Sequence, residues 1–374
     1  MIRIKSLNFY YLDFPLKKNI ITSFGIMKSR PSLILELKDN FNNTGYGEVW
    51  CNFPSNAADY RFNIFKNIFV NKLKNIEIDD PLKTINIFDE IKTVFIQSGD
   101  LGTYNNIVSA IDCAIWDLFS KNKKLPLYKF INDNSKNTIS LYASGINPGE
   151  ALEKIEEARS VGINSFKVKI GFNNNLDINL LNLLKENIKK NENLMLDANQ
   201  GWNLHNVNNY LLTLQKYKIF WIEEPISAFS AIADYERLSN LKNVNIALGE
   251  NINNMNEFDF YLSHNNFNYI QPDITKYGGI SLIYILAKKY NPKKIWLHFL
   301  GSGVGLLTSA HVMAAINPEG KLETDINENL LRTKIFDTAI IINEGKINLN
   351  NNFGTGMKLN MEIINKYLIK SFSN

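Results

Sequence analysis

Short apolar runs in the C-terminal two thirds of this chain each end in a residue that can hold a metal ion or move a proton, and they recur at nearly constant spacing. The residues are Lys167 and Lys169 (FKVKIG), Asp197 (LMLDAN), Glu223 (FWIEEP), Glu250 (IALGE), Asp273 (YIQPD) and His298 (IWLHF), followed by Glu323 (KLETD). From Lys169 onward, successive positions differ by 28, 26, 27, 23, 25 and 25 residues. A buried parallel strand with its crossover helix takes ~30 residues, so the period predicts repeated βα units with one reactive side chain at each strand end. The 374 residues can hold a (β/α)8 barrel of about 250 residues and a second module of about 100. A doubly wound open sheet is the other arrangement of such units, but eight units with chemistry on so many strand ends favour closure.

Bulk properties narrow the function classes. A hydrophobic content of 45% and a charged content of 21% fit a globular protein with a full core. The formal charge of +4 comes without a basic block, so no nucleic-acid partner is expected. No apolar stretch approaches the ~20 residues that span a bilayer, and the N-terminal MIRIKSLNFYYLDFPL reads as a strand and not as a signal peptide. Cys51 and Cys113 offer neither a disulfide framework nor metal-ligand spacing, which fits a reducing compartment. No membrane partner and a cytoplasmic location are expected.

Residues 1–130 do not follow the period. SLILEL (32–37) and the stretch 45–50, separated by DNFNNTG, read as a hairpin. NIVSAIDCAIWDLFSK then places Ile107, Val108, Ile111, Ala114, Ile115 and Leu118 at helical spacing. This is an α+β module. Residues 131–339 carry the barrel units, with ISLYASG as first strand and a helix from Pro148 to Gly162. Residues 340–374 read as a tail returning to the first module.

Asp197, Glu223 and Glu250 end three successive strands, so closure would make them neighbours on one rim. Three carboxylates without Cys or His form a hard-oxygen site suited to Mg²⁺. Lys167 and Lys169 share one face of their strand. On the barrel interior one of them could act as a base, whereas on an exposed strand both would be solvated. Asp273 can fix the tautomer of His298 and leave its other nitrogen free to exchange a proton. His205, His264 and His311 have no such neighbour and are left without a role.

These motifs, with DANQGW (197–202), GEN (Glu250 and Asn251), QPDITKYGG (271–279), LETDINENLLR (322–332), SAIDCAIWDL and GYGE, give the chain a resemblance to the enolase superfamily, specifically its mandelate racemase subgroup. The resemblance covers nearly the full length. It implies a modified TIM barrel, (β/α)7β, with an N-terminal α+β capping domain completed by the C-terminal tail. It implies one Mg²⁺ per subunit on Asp197, Glu223 and Glu250, Lys169 as first base, and His298 with Asp273 as second. Lys167 matches a position that contacts the substrate carboxylate or tunes Lys169, and Glu323 matches a hydrogen-bond donor to that carboxylate, for which it must be protonated. Asn199 fits a polar contact to a substrate hydroxyl or a structural loop amide. Two capping loops, 21–31 and 48–56, should line the mouth through Ser23, Phe24, Met27, Trp50 and Phe53. The muconate-lactonizing subgroup has a Lys where this chain has Asp273; Lys276, three residues on, is taken as solvated. The partner is then a small carboxylate acted on by a homo-oligomer. The reaction is dehydration of a sugar acid, or alternatively racemisation or epimerisation of an α-hydroxy acid or amino-acid derivative, with a non-catalytic acid-binding barrel as a third reading.

Overall fold

Alternation of apolar and polar residues at the N-terminus builds a sheet with one buried face. Strand β1 (Ile2–Thr22) buries Ile2, Ile4, Leu7, Phe9 and Leu12. It pairs antiparallel with β2 (Gly25–Asp39), which pairs with β3 (Thr44–Val49); a short β4 (Glu77–Ile78) adds to the start of β1. The expected hairpin is therefore β2 and β3, and the expected loop 21–31 is largely strand, since β1 and β2 stay paired out to Thr22 and Gly25. The computed structural model describes all residues except 23, 24, 75, 240–243 and 339, and of 21, 22, 174 and 239 only the backbone. Ser23 and Phe24 lie outside the described residues. The long helix Leu101–Asn122 packs its Ile107, Ala110, Ile111, Ala114 and Leu118 into the same apolar cluster as Leu33, Leu35, Leu37 and Val49.

The periodic region forms parallel strands β5 (Thr138–Ile146), β6 (Ser165–Lys169), β7 (Asn193–Asp197), β8 (Trp221–Glu223), β9 (Ile246–Leu248), β10 (Tyr269–Ile270) and β11 (Lys321–Asp325). Ladders run from β11 through β5 and on in order to β10. Register places Lys169 beside Asp197, Asp197 beside Glu223, and Glu323 beside Tyr142. A strand was expected at IWLHF too, but this run forms only one bridge, Ile295 to Ile270. Its amides explain why. Trp296 and His298 donate to Ile270 and Pro272 on the β10 side at 2.9 and 3.2 Å. Those facing β11 find side chains instead, Leu297 N donating to Met313 Sδ at 3.5 Å and Phe299 N to Glu323 Oε2 at 3.3 Å. Ladder closure is thus interrupted between this run and β11, while side chains span the gap.

Aromatic side chains fill the barrel beneath the rim. Tyr142, Met195, Trp221, Ala247 and Trp296 form one buried cluster, with Trp221 set edge-on to Tyr142 at 5.5 Å. The tail does not go straight to the first module. Strands β12 (Ile342–Asn343) and β13 (Lys346–Asn348) form a hairpin through Glu344 and Gly345, both at positive φ as such tight turns need, and β13 adds antiparallel to β5. Met357, Leu359 and Ile364 then pack on Leu12, Phe14, Ile34 and Tyr46 of the N-terminal sheet, and β14 (Leu368–Ser373) joins that sheet against β1. No helix among the described residues is long and apolar enough to cross a membrane.

Candidate active site

The strand ends converge at the barrel mouth under the N-terminal module. A cavity of about 260 Å³ there is lined by Lys169, Asp197, Asn199, Glu250 and His298 from the barrel, and by Met27, Trp50 and Phe53 from the module above. Arg30, Asn52, Gln200, Asn251 and Lys276 complete much of its polar wall. Lys167, Glu223, Asp273 and Glu323 are buried, with no more than 3% exposure, and are not among the cavity's lining residues.

Lys167 ties the floor together. Its Nζ lies 2.7 Å from Glu223 Oε1 and 2.7 Å from Glu323 Oε1, above the Tyr142 ring at 5.8 Å. Burial disfavours the ammonium, but the Glu223 and Glu323 charges overcome that and hold its pKa well above the usual value. The same contacts govern its partners. Glu323 is held below the usual carboxylate range, because the Lys167 and His298 charges outweigh its burial. Tyr142 donates to its Oε2 at 3.2 Å. In this arrangement Glu323 accepts from Tyr142. Lys167 accordingly contacts carboxylates of the chain itself.

His298 is oriented from both sides. Its Nδ1 donates to Asp273 Oδ2 at 2.8 Å, and its Nε2 lies 2.7 Å from Glu250 Oε2. Asp273 is itself fixed, its Oδ1 accepting from Thr275 N at 2.7 Å and Thr275 Oγ1 at 2.6 Å. Burial opposes the imidazolium, yet Glu250 and Glu323 raise its pKa well above the ordinary histidine value. Glu250 is pulled well below the carboxylate range in return, by Lys276 and His298 against its burial. On the other side Lys169 Nζ contacts Asn199 Oδ1 and lies 3.8 Å from Asp197 Oδ2. Asn199 also donates to Asp197, from N to Oδ1 at 2.8 Å and from Nδ2 to Oδ2 at 3.0 Å.

Among the described residues, no group of three or more His, Cys, Asp or Glu is arranged to hold a metal ion as the side chains stand. The expected convergence of Asp197, Glu223 and Glu250 is thus incomplete. Their oxygens turn to internal donors instead: Asn199 for Asp197, Lys167 and Gln271 for Glu223, His298 for Glu250. The donor chemistry nonetheless fits a hard divalent cation. Burial, together with the Asp197, Glu323 and Glu250 charges, raises the Glu223 pKa to about 7 even with Lys167 beside it, a like-charge conflict that such a cation offsets.

Lys276 corrects the sequence reading. Its side chain is only 14% exposed, with Nζ 3.6 Å from Glu250 Oε2, 3.1 Å from Asn251 Oδ1 and 4.8 Å from the centre of the Trp50 ring. The turn that Asp273 makes with Thr275 folds the loop back over the mouth, so a residue beyond the strand end faces inward. Arg30 carries no signal in a stretch whose composition is that of a loop, and neither do Tyr142 and Gln271, because single polar residues within apolar runs have no telling spacing. Gln271 Nε2 donates to Glu223 Oε2 at 2.7 Å and to Tyr142 OH at 3.3 Å.

Comparison with known proteins agrees with this architecture. The model of the enolase C-terminal domain-like family matches residues 150–363. An arabinonate dehydratase of Saccharolobus solfataricus is 28% identical over 298 residues, covering 76% of this chain and 78% of that protein. The solved structure of a mandelate racemase/muconate lactonizing enzyme from Bordetella bronchiseptica superposes with a TM-score of 0.87 at 28% identity, covering 98% of this chain and 99% of that one. A racemase from Streptomyces coelicolor, solved with bound magnesium, gives a TM-score of 0.84 at 18% identity over 98% of this chain and 100% of that one. With the matched family model spanning more than half of its length, the chain belongs to the enolase superfamily, among the mandelate racemase and muconate lactonizing enzymes.

Proposed function

We propose that this enzyme removes the proton α to a carboxylate and that its overall reaction is dehydration of an acid sugar. One observation carries the reading: Lys169 and His298, the latter held from behind by Asp273, open into the same cavity, with Asp197 and Glu250 also on its wall. Asp197, Glu223 and Glu250 would hold one Mg²⁺ per subunit, as the magnesium in the Streptomyces racemase suggests. When bound, the ion supplies the positive charge that stabilises the second negative charge developing on the substrate carboxylate.

The chain's own groups do the rest. Lys169, as a neutral amine, takes the α-proton, and Asn199 holds its Nζ toward the cavity. His298, its Nδ1 fixed by Asp273, gives its Nε2 proton to the β-hydroxyl, which leaves as water when the C–O bond breaks. The enol product then tautomerises to a 2-keto-3-deoxy acid. Asn52, Gln200 and Asn251 in the wall suit a polyhydroxylated chain better than an apolar one, and the arabinonate dehydratase relative points the same way. Racemisation is the second reading, favoured by the same two groups, since either can return a proton to the α-carbon.

The test is incubation with Mg²⁺ in D₂O against sugar acids, α-hydroxy acids and amino-acid derivatives. Formation of a 2-keto-3-deoxy product is expected. Deuterium at the α-carbon without water loss would select racemisation. Neither outcome across the panel, with Mg²⁺ bound, overturns both.

A further inference from the structure

One end of the cavity carries a charge imbalance that the proposed chemistry does not use. Arg30 on β2 and Arg332 in the short helix Leu330–Thr333 after β11 both pair with a single carboxylate, Asp325 at the end of β11, Arg332 Nη1 at 3.5 Å. All three are buried, Arg30 at 5%, Arg332 at 8% and Asp325 at 4% exposure. Among the described residues, Asp325 is the one carboxylate paired with either guanidinium. Two guanidinium charges against one carboxylate leave a net positive charge out of water, which is costly unless an anion compensates it.

Unused hydrogen-bond capacity marks the same place. Arg30 Nε and Arg332 Nη1 are buried without a hydrogen-bond partner, although buried guanidinium donors are ordinarily satisfied. Asp325 cannot serve them all, because its Oδ1 is taken by Asn327, whose N donates at 2.9 Å and Nδ2 at 2.8 Å. Arg30 lines the cavity that holds Lys169 and His298. A planar fork of this kind matches a carboxylate.

We propose that Arg30, with Arg332 behind it, is an anion subsite that receives a second carboxylate of the substrate, making the preferred substrate class dicarboxylic acid sugars over monocarboxylic ones. This rests on the reading of the site as an acid-sugar enzyme and names the distal group that it takes. Arg30 is a specificity residue and takes no part in the proton transfers. A purely structural tie between the N-terminal module and the barrel would show no dependence on the substrate's distal group.

The experiment compares matched C5 and C6 pairs of aldonates and aldarates, such as gluconate and glucarate, by titration calorimetry with Mg²⁺ present and by α-proton exchange in D₂O. The wild type is expected to bind its best aldarate at least about tenfold more tightly than the matched aldonate, and Arg30→Gln to remove that difference by weakening aldarate binding more than aldonate binding. Arg30→Lys, which keeps the charge and loses the fork, should fall between. The wild-type comparison decides the matter even if Arg30→Gln does not fold. Equal binding of each pair, tighter aldonate binding, binding of neither class, or an equal loss for both classes in Arg30→Gln overturns the subsite. The two readings fail separately: aldarate preference without exchange or turnover would sink the proposed reaction alone, and turnover of aldonates without aldarate preference would sink the subsite alone.

Discussion

Lys167 sits with its ammonium between Glu223 and Glu323, 2% exposed, so it is the cation that both buried carboxylates of the floor share. Removing one partner from a buried ion pair leaves the other uncompensated, typically at about 3–5 kcal/mol. Lys167→Met, close in shape, is therefore expected to lower the unfolding free energy by roughly that amount in chelator, measured by urea denaturation. A change under about 1 kcal/mol would mean that the carboxylates are not held ionised by this lysine. The sequence made the position of Lys167 legible, because a KxK pair in an apolar run puts both side chains on one face. It did not make the partners legible. Which carboxylates an ammonium meets depends on side-chain reach across β8 and β11, and the same gap hid Lys276, whose inward direction comes from the turn after Asp273 rather than from any strand pattern.

The GYGE motif shows how one strand is fitted to one helix. A Cβ on Gly47 would fall 1.9 Å from the Ala110 carbonyl oxygen and one on Gly45 2.2 Å from that of Ala114, so β3 lies directly against the backbone of the helix Leu101–Asn122. Neither atom is the end of a flexible side chain. Gly47→Ala should therefore force strand and helix apart and cost about 1–3 kcal/mol, read as a lowered Tm with the helical circular dichroism otherwise retained; an unchanged Tm would contradict the close approach. At the same end of β3, Glu48 accepts from Ser302 N at 2.8 Å, Ser302 Oγ at 2.7 Å and Gly305 N at 2.8 Å. It thus satisfies a first-turn amide of the helix Gly303–Ile316 and holds that helix's N-cap, Ser302, just beyond the His298 run. Strand β3 and the long helix were legible from turn residues and helical periodicity. The extent of β2 was not, since its polar outer half, GIMKSRP, pairs with β1 through backbone bonds that composition does not reveal, and Arg30 was hidden with it. The IWLHF run looks like a strand in sequence and is bridged only at Ile295, because half of its amides find side-chain acceptors.

Across the whole molecule, the order of reactive residues along the chain becomes their order around the mouth: Lys167 and Lys169 on β6, Asp197 on β7, Glu223 on β8, Glu250 after β9, Asp273 after β10 and His298 on the next run. That mapping follows from parallel ladders that join neighbours in sequence, which is why the period exposed so much of the site. The lid is different. It comes from β2 and the segment after β3, and its contribution to the cavity, Met27, Arg30, Trp50, Asn52 and Phe53, depends on how the N-terminal sheet docks on the barrel through contacts such as Glu48 with Ser302. The central claim is that Lys169 and His298 work in one cavity, the amine taking the α-proton and the imidazole protonating the leaving β-hydroxyl. Its most direct measurement is proton NMR of an acid sugar turned over by the wild type with Mg²⁺ in D₂O. Lys169→Ala and His298→Asn are each predicted to slow formation of the 2-keto-3-deoxy product by at least about a hundredfold. If both variants form that product at the wild-type rate, the assignment of the two groups is wrong.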